Sequence, residues 1–136
     1  MEMLKFSMLG LDDFLVYFGL CLVFVAVYLV VYMWVTPYNE IRLIRGGNPA
    51  AAWSLGFSLL GFSLPLASAV IHSVNPWDLA LWALIALVVQ VLAFVVVRLM
   101  LPDLPKHINE GQVASGAFLG CVSLAVGVLN AACMTY

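Results

Sequence analysis

The stretch LALWALIALVVQVLAFVVV, residues 79–97, decides the fold of this chain. It carries no charge, and Gln90 alone interrupts its run of apolar residues. A helix rises 1.5 Å per residue, so about 20 apolar residues cross the ~30 Å hydrocarbon layer of a bilayer. Strands of membrane barrels instead alternate apolar and polar residues over about ten positions. The stretch therefore predicts a transmembrane helix and excludes a barrel strand.

Charges are few in the chain and are grouped at a few places along it. Charged residues make up 9% of the 136 residues and hydrophobic residues 65%, whereas soluble domains have about 25% and 45–50%. This excludes a soluble domain, and the net charge of −2 argues against a nucleic-acid partner. We predict an all-α, polytopic membrane protein that contacts the lipid bilayer through four transmembrane helices. A short leader, 1–13, precedes the predicted spans 14–35, 50–72, 79–101 and 113–134.

The basic residues of the loops predict the orientation. The segment after span one carries Arg42 and Arg45, and the segment around the end of span three carries Arg98 and Lys106. The other side of the membrane has Lys5 alone. Basic residues are enriched in cytoplasmic loops. We therefore expect a multi-pass protein of the bacterial inner membrane, with both termini and the leader extracytoplasmic.

The two halves of the chain align when one is shifted by 64 residues. Gly47 then falls on Gly111 and Gly56 on Gly120. Each half has the same order of span, charged loop, glycine step and second span. This order predicts a tandem repeat of two-helix units, 14–72 and 79–136, which run parallel about an axis along the membrane normal.

The predicted cytoplasmic loops mix apolar and charged residues. In the first loop, Ile41, Ile44 and Tyr38 have a spacing that suits one lipid-facing side of a short interfacial helix. We expect the charged residues of the loops to be presented to the cytoplasm. These residues are Glu40, Arg42, Arg45 and Lys106.

Small and polar residues recur at helical spacing along spans two and four. The span-two seam comprises Ser54, Ser58, Gly61, Pro65, Ser68 and His72. The span-four seam comprises Gly116, Gly120, Ser123, Gly127, Asn130 and Met134. Steps of three and four residues are typical of packed helices, and glycines spaced four apart let two backbones approach closely. A helix–helix interface is the favoured interpretation, and a polar path across the membrane is the alternative.

Pro65, Gln90 and Asn130 are candidate intramembrane sites. Pro65 removes the hydrogen bond to the Gly61 carbonyl and predicts a kink, either a passive one or one that forms an ion-binding carbonyl site. The amides of Gln90 and Asn130 need partners in hydrocarbon. Pairing across the bundle or between subunits is favoured over coordination of a permeating solute.

The sequence offers little for catalysis. Ser68 and His72 are four residues apart on one helix face, but no acid lies in the spans to complete a hydrolase triad. For the same reason we do not expect a relay of buried carboxylates, and His72 is expected at the membrane interface. No metal-ligand spacing or phosphate-binding loop is present. We predict no catalytic residue, metal or cofactor.

Several strings carry a family resemblance. Thr36-Pro37-Tyr38-Asn39-Glu40, followed by Gly47-Asn48, resembles the YjfL-like inner-membrane proteins, a bacterial family defined as a domain of unknown function. The closing segment LNAACMTY, residues 129–136, is the most specific match. The resemblance implies a four-helix inner-membrane protein with two copies of the family unit and no established activity. It also implies a phage-shock-protein-A-like membrane-stress protein as a partner.

Three hypotheses of function follow. The first is a non-enzymatic membrane scaffold that forms a homo-oligomer through the seams and holds the stress partner at its cytoplasmic loops. The second is a small homo-oligomeric channel or carrier for ions or small solutes, lined by Ser58, Ser68, Gln90 and Asn130. The third, an intramembrane enzyme, is the least favoured because catalytic groups are lacking.

Overall fold

A computed structural model describes residues 2–36 and 38–134 of the chain. The structure does not describe residues 1, 37 and 135–136. The first residue of the predicted leader and the last two residues of the second predicted unit therefore lie outside the described residues. The described residues form helices joined by short turns, without strands. Four of the helices are long and apolar enough to cross a membrane. The predicted all-α membrane fold is therefore confirmed.

Six helices follow one another along the chain. They are α1 (Glu2–Val35), α2 (Glu40–Arg45), α3 (Pro49–His72), α4 (Pro76–Met100), α5 (Leu104–Asn109) and α6 (Val113–Cys133). The long helices α1 and α3 contain the first two predicted spans, and α4 and α6 contain all but the last residue of the other two. Helices α2 and α5 are short helices in the two loops predicted to carry charge. Helix α3 continues through Pro65.

The predicted leader is not a separate segment, because α1 begins at Glu2. No proline occurs between residues 2 and 13, and Gly10 is the one weak helix former there. Nothing in this segment therefore ends the helix. At 1.5 Å per residue the 34 residues of α1 extend over roughly 50 Å, which exceeds the ~30 Å hydrocarbon layer.

Side-chain caps fix where the other helices begin. The side-chain oxygens of Asn39, Asn48 and Asn75 accept hydrogen bonds from backbone N–H groups in the first turns of α2, α3 and α4. Such caps satisfy N–H groups that have no partner within the helix. Proline occupies the first turn of both α3 and α4, where its missing N–H costs nothing.

Helices α3 and α6 form the central pair of the bundle and make its most extensive contact. Gly116 lies against Ala50 near the start of both helices, and Ser68 lies against Ala131 near their ends. The two helices therefore run parallel. Helix α4 packs against both of them, and α1 packs against α3 and α4.

Helices α2 and α5 lie at the same end of the bundle, which we call the loop end. The side-chain amide of Asn48 joins the two loops by donating a hydrogen bond of 2.7 Å to the Ile108 carbonyl oxygen. Helix α1 contacts the bundle mainly near this end, where Tyr28 and Tyr32 are its fully buried residues. Most of the remaining surface of α1 is apolar and exposed.

Positions 64 residues apart adopt the same local structure. Helices α2 and α5 begin at residues 40 and 104, and α3 and α6 begin at residues 49 and 113. Gly47 and Gly111 are the two described residues with positive φ, at 84° and 76°. Glycine is favoured in this left-handed region because it has no Cβ. The same glycine turn thus connects each short helix to the span that follows it.

Candidate functional site

The span-two and span-four seams face each other within one chain. The Ser58 hydroxyl donates to the Ser123 hydroxyl at 3.3 Å, between two buried side chains. A Cβ added at Gly120 would lie 2.8 Å from the Trp53 carbonyl oxygen. Cβ atoms added at Gly116 and Gly127 would overlap the backbones of Ala50 and Gly61. The contact thus leaves no room for even a methyl group at these glycines.

The region around Pro65, which lies inside the continuous helix α3, is part of this interface. Pro65 has no N–H for the Gly61 carbonyl oxygen, and Gly127 packs directly against that oxygen from α6. Gly61 itself faces the Ser123 carbonyl oxygen and the Gln90 side chain. The freed carbonyl is therefore covered by a neighbouring backbone, which supports the interpretation of Pro65 as a packing feature.

The side-chain amides of Gln90 and Asn130 have different surroundings. Gln90 is 1% exposed, and its Nε2 donates to the Ser123 carbonyl oxygen at 3.2 Å. Its Oε1 has no hydrogen-bond partner among the described residues, and neither does the buried Nδ2 of Asn130. Gln90 therefore joins α4 to α6, and Asn130 lies in the half of α6 away from the loop end.

Ser68 and His72 lie toward the end of the bundle opposite to the loop end. The Ser68 hydroxyl donates to the Ala131 carbonyl oxygen at 3.2 Å, which ties α3 to α6. His72 is exposed, and its Nδ1 lies 2.9 Å from the Ser68 carbonyl oxygen and 3.4 Å from the Ser68 hydroxyl. Ser68 is thus a packing residue, and its contact with His72 is local to one helix.

Glu40, which the sequence places in a loop with other charged residues, is completely buried. Neither carboxylate oxygen has a hydrogen-bond partner in the described part of the chain. The Thr36 hydroxyl donates to the Tyr38 carbonyl oxygen at 3.2 Å. In the first turn of α2, Glu40 therefore faces the bundle, whereas Ile41 and Arg42 are exposed.

The position of Tyr38 also differs from the predicted one. Tyr38 was expected to face the lipid together with Ile41 and Ile44, but Tyr38 is buried, whereas the two isoleucines are exposed. Arg42, Arg45 and Lys106 are exposed as predicted. The short helix α2 thus turns Glu40 inward and its arginines outward.

Aromatic rings and hydroxyl groups surround Glu40. We call this group the polar cluster; it comprises Tyr28, Tyr32, Thr36, Tyr38, Glu40, Ser54, Ser58, Gln90 and Ser123, most of them fully buried. Tyr28 stacks on Phe62 with ring centroids 4.5 Å apart, and Tyr32 meets the edge of Phe94 at 5.5 Å. Both tyrosines also lie near Ser58. The cluster extends from the loop end to Gln90, near the middle of α4.

The environment changes the proton affinity of the loop residues in this cluster. Burial raises the pKa of Glu40, and the Thr36 hydroxyl and the backbone N–H of Glu40 only partly oppose this effect. Burial also raises the pKa of Tyr38, the Glu40 carboxylate raises it further, and Arg98 lowers it. A carboxyl group in low dielectric favours its neutral form. The chemistry that this arrangement supports is the uptake and release of a proton at Glu40.

The loop end also carries a surface cleft. It has a volume of about 660 Å³ and lies between the α2–α3 turn and the α5–α6 turn. Its walls include Arg42, Asn48 and Glu110. Among the described residues no three His, Cys, Asp or Glu side chains are placed to hold a metal ion.

Fold and site together define a class: a four-span helical membrane protein with a glycine-packed central pair and a buried acidic residue at the loop end. The chain belongs to the family described as Domain of Unknown Function (DUF350), whose model matches residues 5–134. The predicted resemblance to the YjfL-like family is thereby confirmed.

The chain is similar to the UPF0719 inner membrane protein YjfL of Escherichia coli strain K12, with 42% identity over 123 residues. This match covers 90% of the chain and 93% of the relative. The protein of the same name from Escherichia coli O157:H7 matches to the same extent. No solved structure shows significant similarity.

Proposed function

We propose that the chain is a non-enzymatic inner-membrane scaffold that holds a cytoplasmic partner at its loop end. The cleft between the two loops is the observation that carries this proposal. Arg42 lines this cleft, and Arg45, Ile41 and Ile44 are exposed on the same short helix α2. A partner for this surface needs acidic residues for the arginines and apolar residues for the isoleucines. A phage-shock-protein-A-like membrane-stress protein is the partner that we propose.

The orientation belongs to the same proposal. The loop end carries Arg42, Arg45, Arg98 and Lys106, so the positive-inside rule places it in the cytoplasm and both termini outside. The inner-membrane location is supported by the relatives, which are named as inner membrane proteins. Helices α5 and α6 begin 64 residues after α2 and α3, which supports an origin of the chain by tandem duplication.

A homo-oligomer remains a prediction, but its interface must differ from the one expected. The two seams face each other inside one chain, so they are not free to join subunits. The channel alternative has less support for the same reason. Of its predicted lining, Ser58 and Gln90 are fully buried, and Ser68 is bonded to α6.

The test is a binding experiment with a purified phage-shock-protein-A-like protein. It is titrated against nanodiscs that hold the full chain and against empty nanodiscs of the same lipid. We expect the loss of both arginines, in Arg42→Ala with Arg45→Ala, to weaken the binding about 5- to 30-fold, because exposed ion pairs contribute up to about 1 kcal/mol each. Lys5→Ala is the matched control at the other end of the protein.

Two outcomes would contradict the scaffold. One is equal binding to empty and loaded nanodiscs. The other is solute flux through liposomes that contain the wild type and its loss in Gln90→Leu with the protein still folded, which would favour the channel. The C-terminal reporter described below checks that removing two arginines has not inverted the topology.

A further inference from the structure

We propose that the Glu40 carboxyl group is a proton-binding site. Release of its proton makes α2 detach from the rest of the bundle at the loop end. The site concerns this chain alone and does not depend on the proposed partner. Its ligand is the hydrogen ion, taken up when the carboxyl group is buried and lost to water when α2 moves out.

The burial of Glu40 without a counter-charge is the first argument. The side chain is 0% exposed, and both carboxylate oxygens lack a hydrogen-bond partner among residues 2–36 and 38–134. An ionised carboxylate in such surroundings loses the hydration that it has in water, and the nearby Thr36 hydroxyl and its own backbone N–H compensate for this loss only in part. The buried form is therefore the protonated one, which is neutral.

The groups that face Glu40 leave this conclusion unchanged. Helix α1 contributes Tyr28 and Tyr32, and the segment before α2 contributes Tyr38; the Glu40 carboxylate acts electrostatically on all three. Phenols are neutral near pH 7 and supply no positive charge. Helix α4 contributes Arg98, which is exposed and acts on Tyr38. Helix α3 contributes the neutral hydroxyl of Ser58, which lies near Tyr28 and Tyr32.

The second half of the chain provides an internal comparison. Leu104 stands 64 residues after Glu40, is likewise the first residue of its short helix, and is likewise 0% exposed. An apolar side chain therefore satisfies this position in α5. Packing alone does not account for an acidic residue at the corresponding position of α2, which points to a role that requires ionisation.

Helix α2 is the element that moves because it is short and most of its residues are exposed. It has six residues, and Glu40 is its one fully buried residue. A six-residue helix that swings out exposes little apolar surface, whereas hydrating Glu40 in place would require opening the bundle around Tyr28 and Tyr32. Because the docked form holds the proton more tightly, docking is complete at low pH and is lost as the pH rises through the pKa of docked Glu40.

Infrared spectroscopy of the full chain in nanodiscs tests the site. We expect a protonated-carboxyl band that persists well above pH 4.3, about the ordinary pKa of glutamic acid. The band should be absent in Glu40→Gln and Glu40→Leu and retained in Glu110→Gln, which removes an exposed acid at the same end of the bundle. Glu40→Leu is expected to fold because Leu104 fills the matching position.

Thiol labelling tests the movement. Cysteines are placed singly at Leu43 in α2 and at the matching position His107 in α5, with the three native cysteines replaced by alanine. The ratio of their labelling rates cancels much of the intrinsic pH dependence of thiol reactivity. We expect this ratio to increase about tenfold for each pH unit of separation between the docked and undocked pKa values of Glu40, and to stay constant in Glu40→Leu. A band unaffected by both Glu40 substitutions, or a ratio that does not vary with pH, would overturn the proposal.

Discussion

Replacing Gly127 by alanine should separate the central helix pair at the point where its backbones touch. A Cβ at this position would overlap the carbonyl group of Gly61 on α3. Because the obstacle is backbone, the helices must move apart, and overpacking of this kind costs typically 1–3 kcal/mol. Alanine gains up to about 1 kcal/mol over glycine in helix propensity. We expect a net loss of roughly 1–2 kcal/mol in the free energy of unfolding.

Gly56→Ala is the matched control, because Gly56 lies in α3 with no atom within 4 Å of an added Cβ. This substitution should leave the stability unchanged or raise it by up to about 1 kcal/mol. Reversible unfolding of both variants in mixed detergent micelles, followed by circular dichroism, measures the difference. If Gly127→Ala were as stable as Gly56→Ala, the close approach of α3 and α6 would be refuted.

Three further results are expected. Asn48→Ala removes the α3 cap and the hydrogen bond to Ile108, so the free energy of unfolding should fall by about 1–2 kcal/mol in the same assay. An unchanged free energy of unfolding would show that the Asn48 side chain does not stabilise the contact between the loops. Gln90→Leu breaks the α4–α6 bond and should cost about 0.6 to 2 kcal/mol in the same assay, whereas a more stable variant would show that this bond contributes nothing. Alkaline phosphatase fused after Tyr136 should be active, because the loop charges place the C-terminus outside; an inactive fusion beside an active cytoplasmic reporter would reverse the orientation.

The sequence predicts those features that depend on local pattern. Runs of apolar residues locate the four spans because crossing a bilayer requires continuous hydrophobicity. Glycines 64 residues apart mark the two turns because positive φ favours glycine. The seam spacing identifies the packed faces of α3 and α6 because a helix repeats every 3.6 residues.

The features that depend on tertiary contact are not predictable in this way. In the sequence Glu40 has the same context as Arg42, a charged residue in a polar loop, and only the tertiary structure shows that Glu40 is buried and Arg42 exposed. A six-residue helix has too few positions for periodicity to define its buried side. Likewise the seams alone do not reveal whether they join two helices of one chain or two subunits, because glycine and serine suit both.

The pairing of α3 with α6 has a consequence for synthesis in the cell. These helices begin at residues 49 and 113, so α3 enters the membrane before its main partner has been made. At a translation rate of about 5–20 residues per second, the delay is on the order of seconds. During that time Ser54, Ser58 and the carbonyl freed by Pro65 face lipid, the translocon or an insertion factor. The nascent protein therefore passes through a stage at which its most polar helix face is unprotected, and its yield depends on how long that stage lasts.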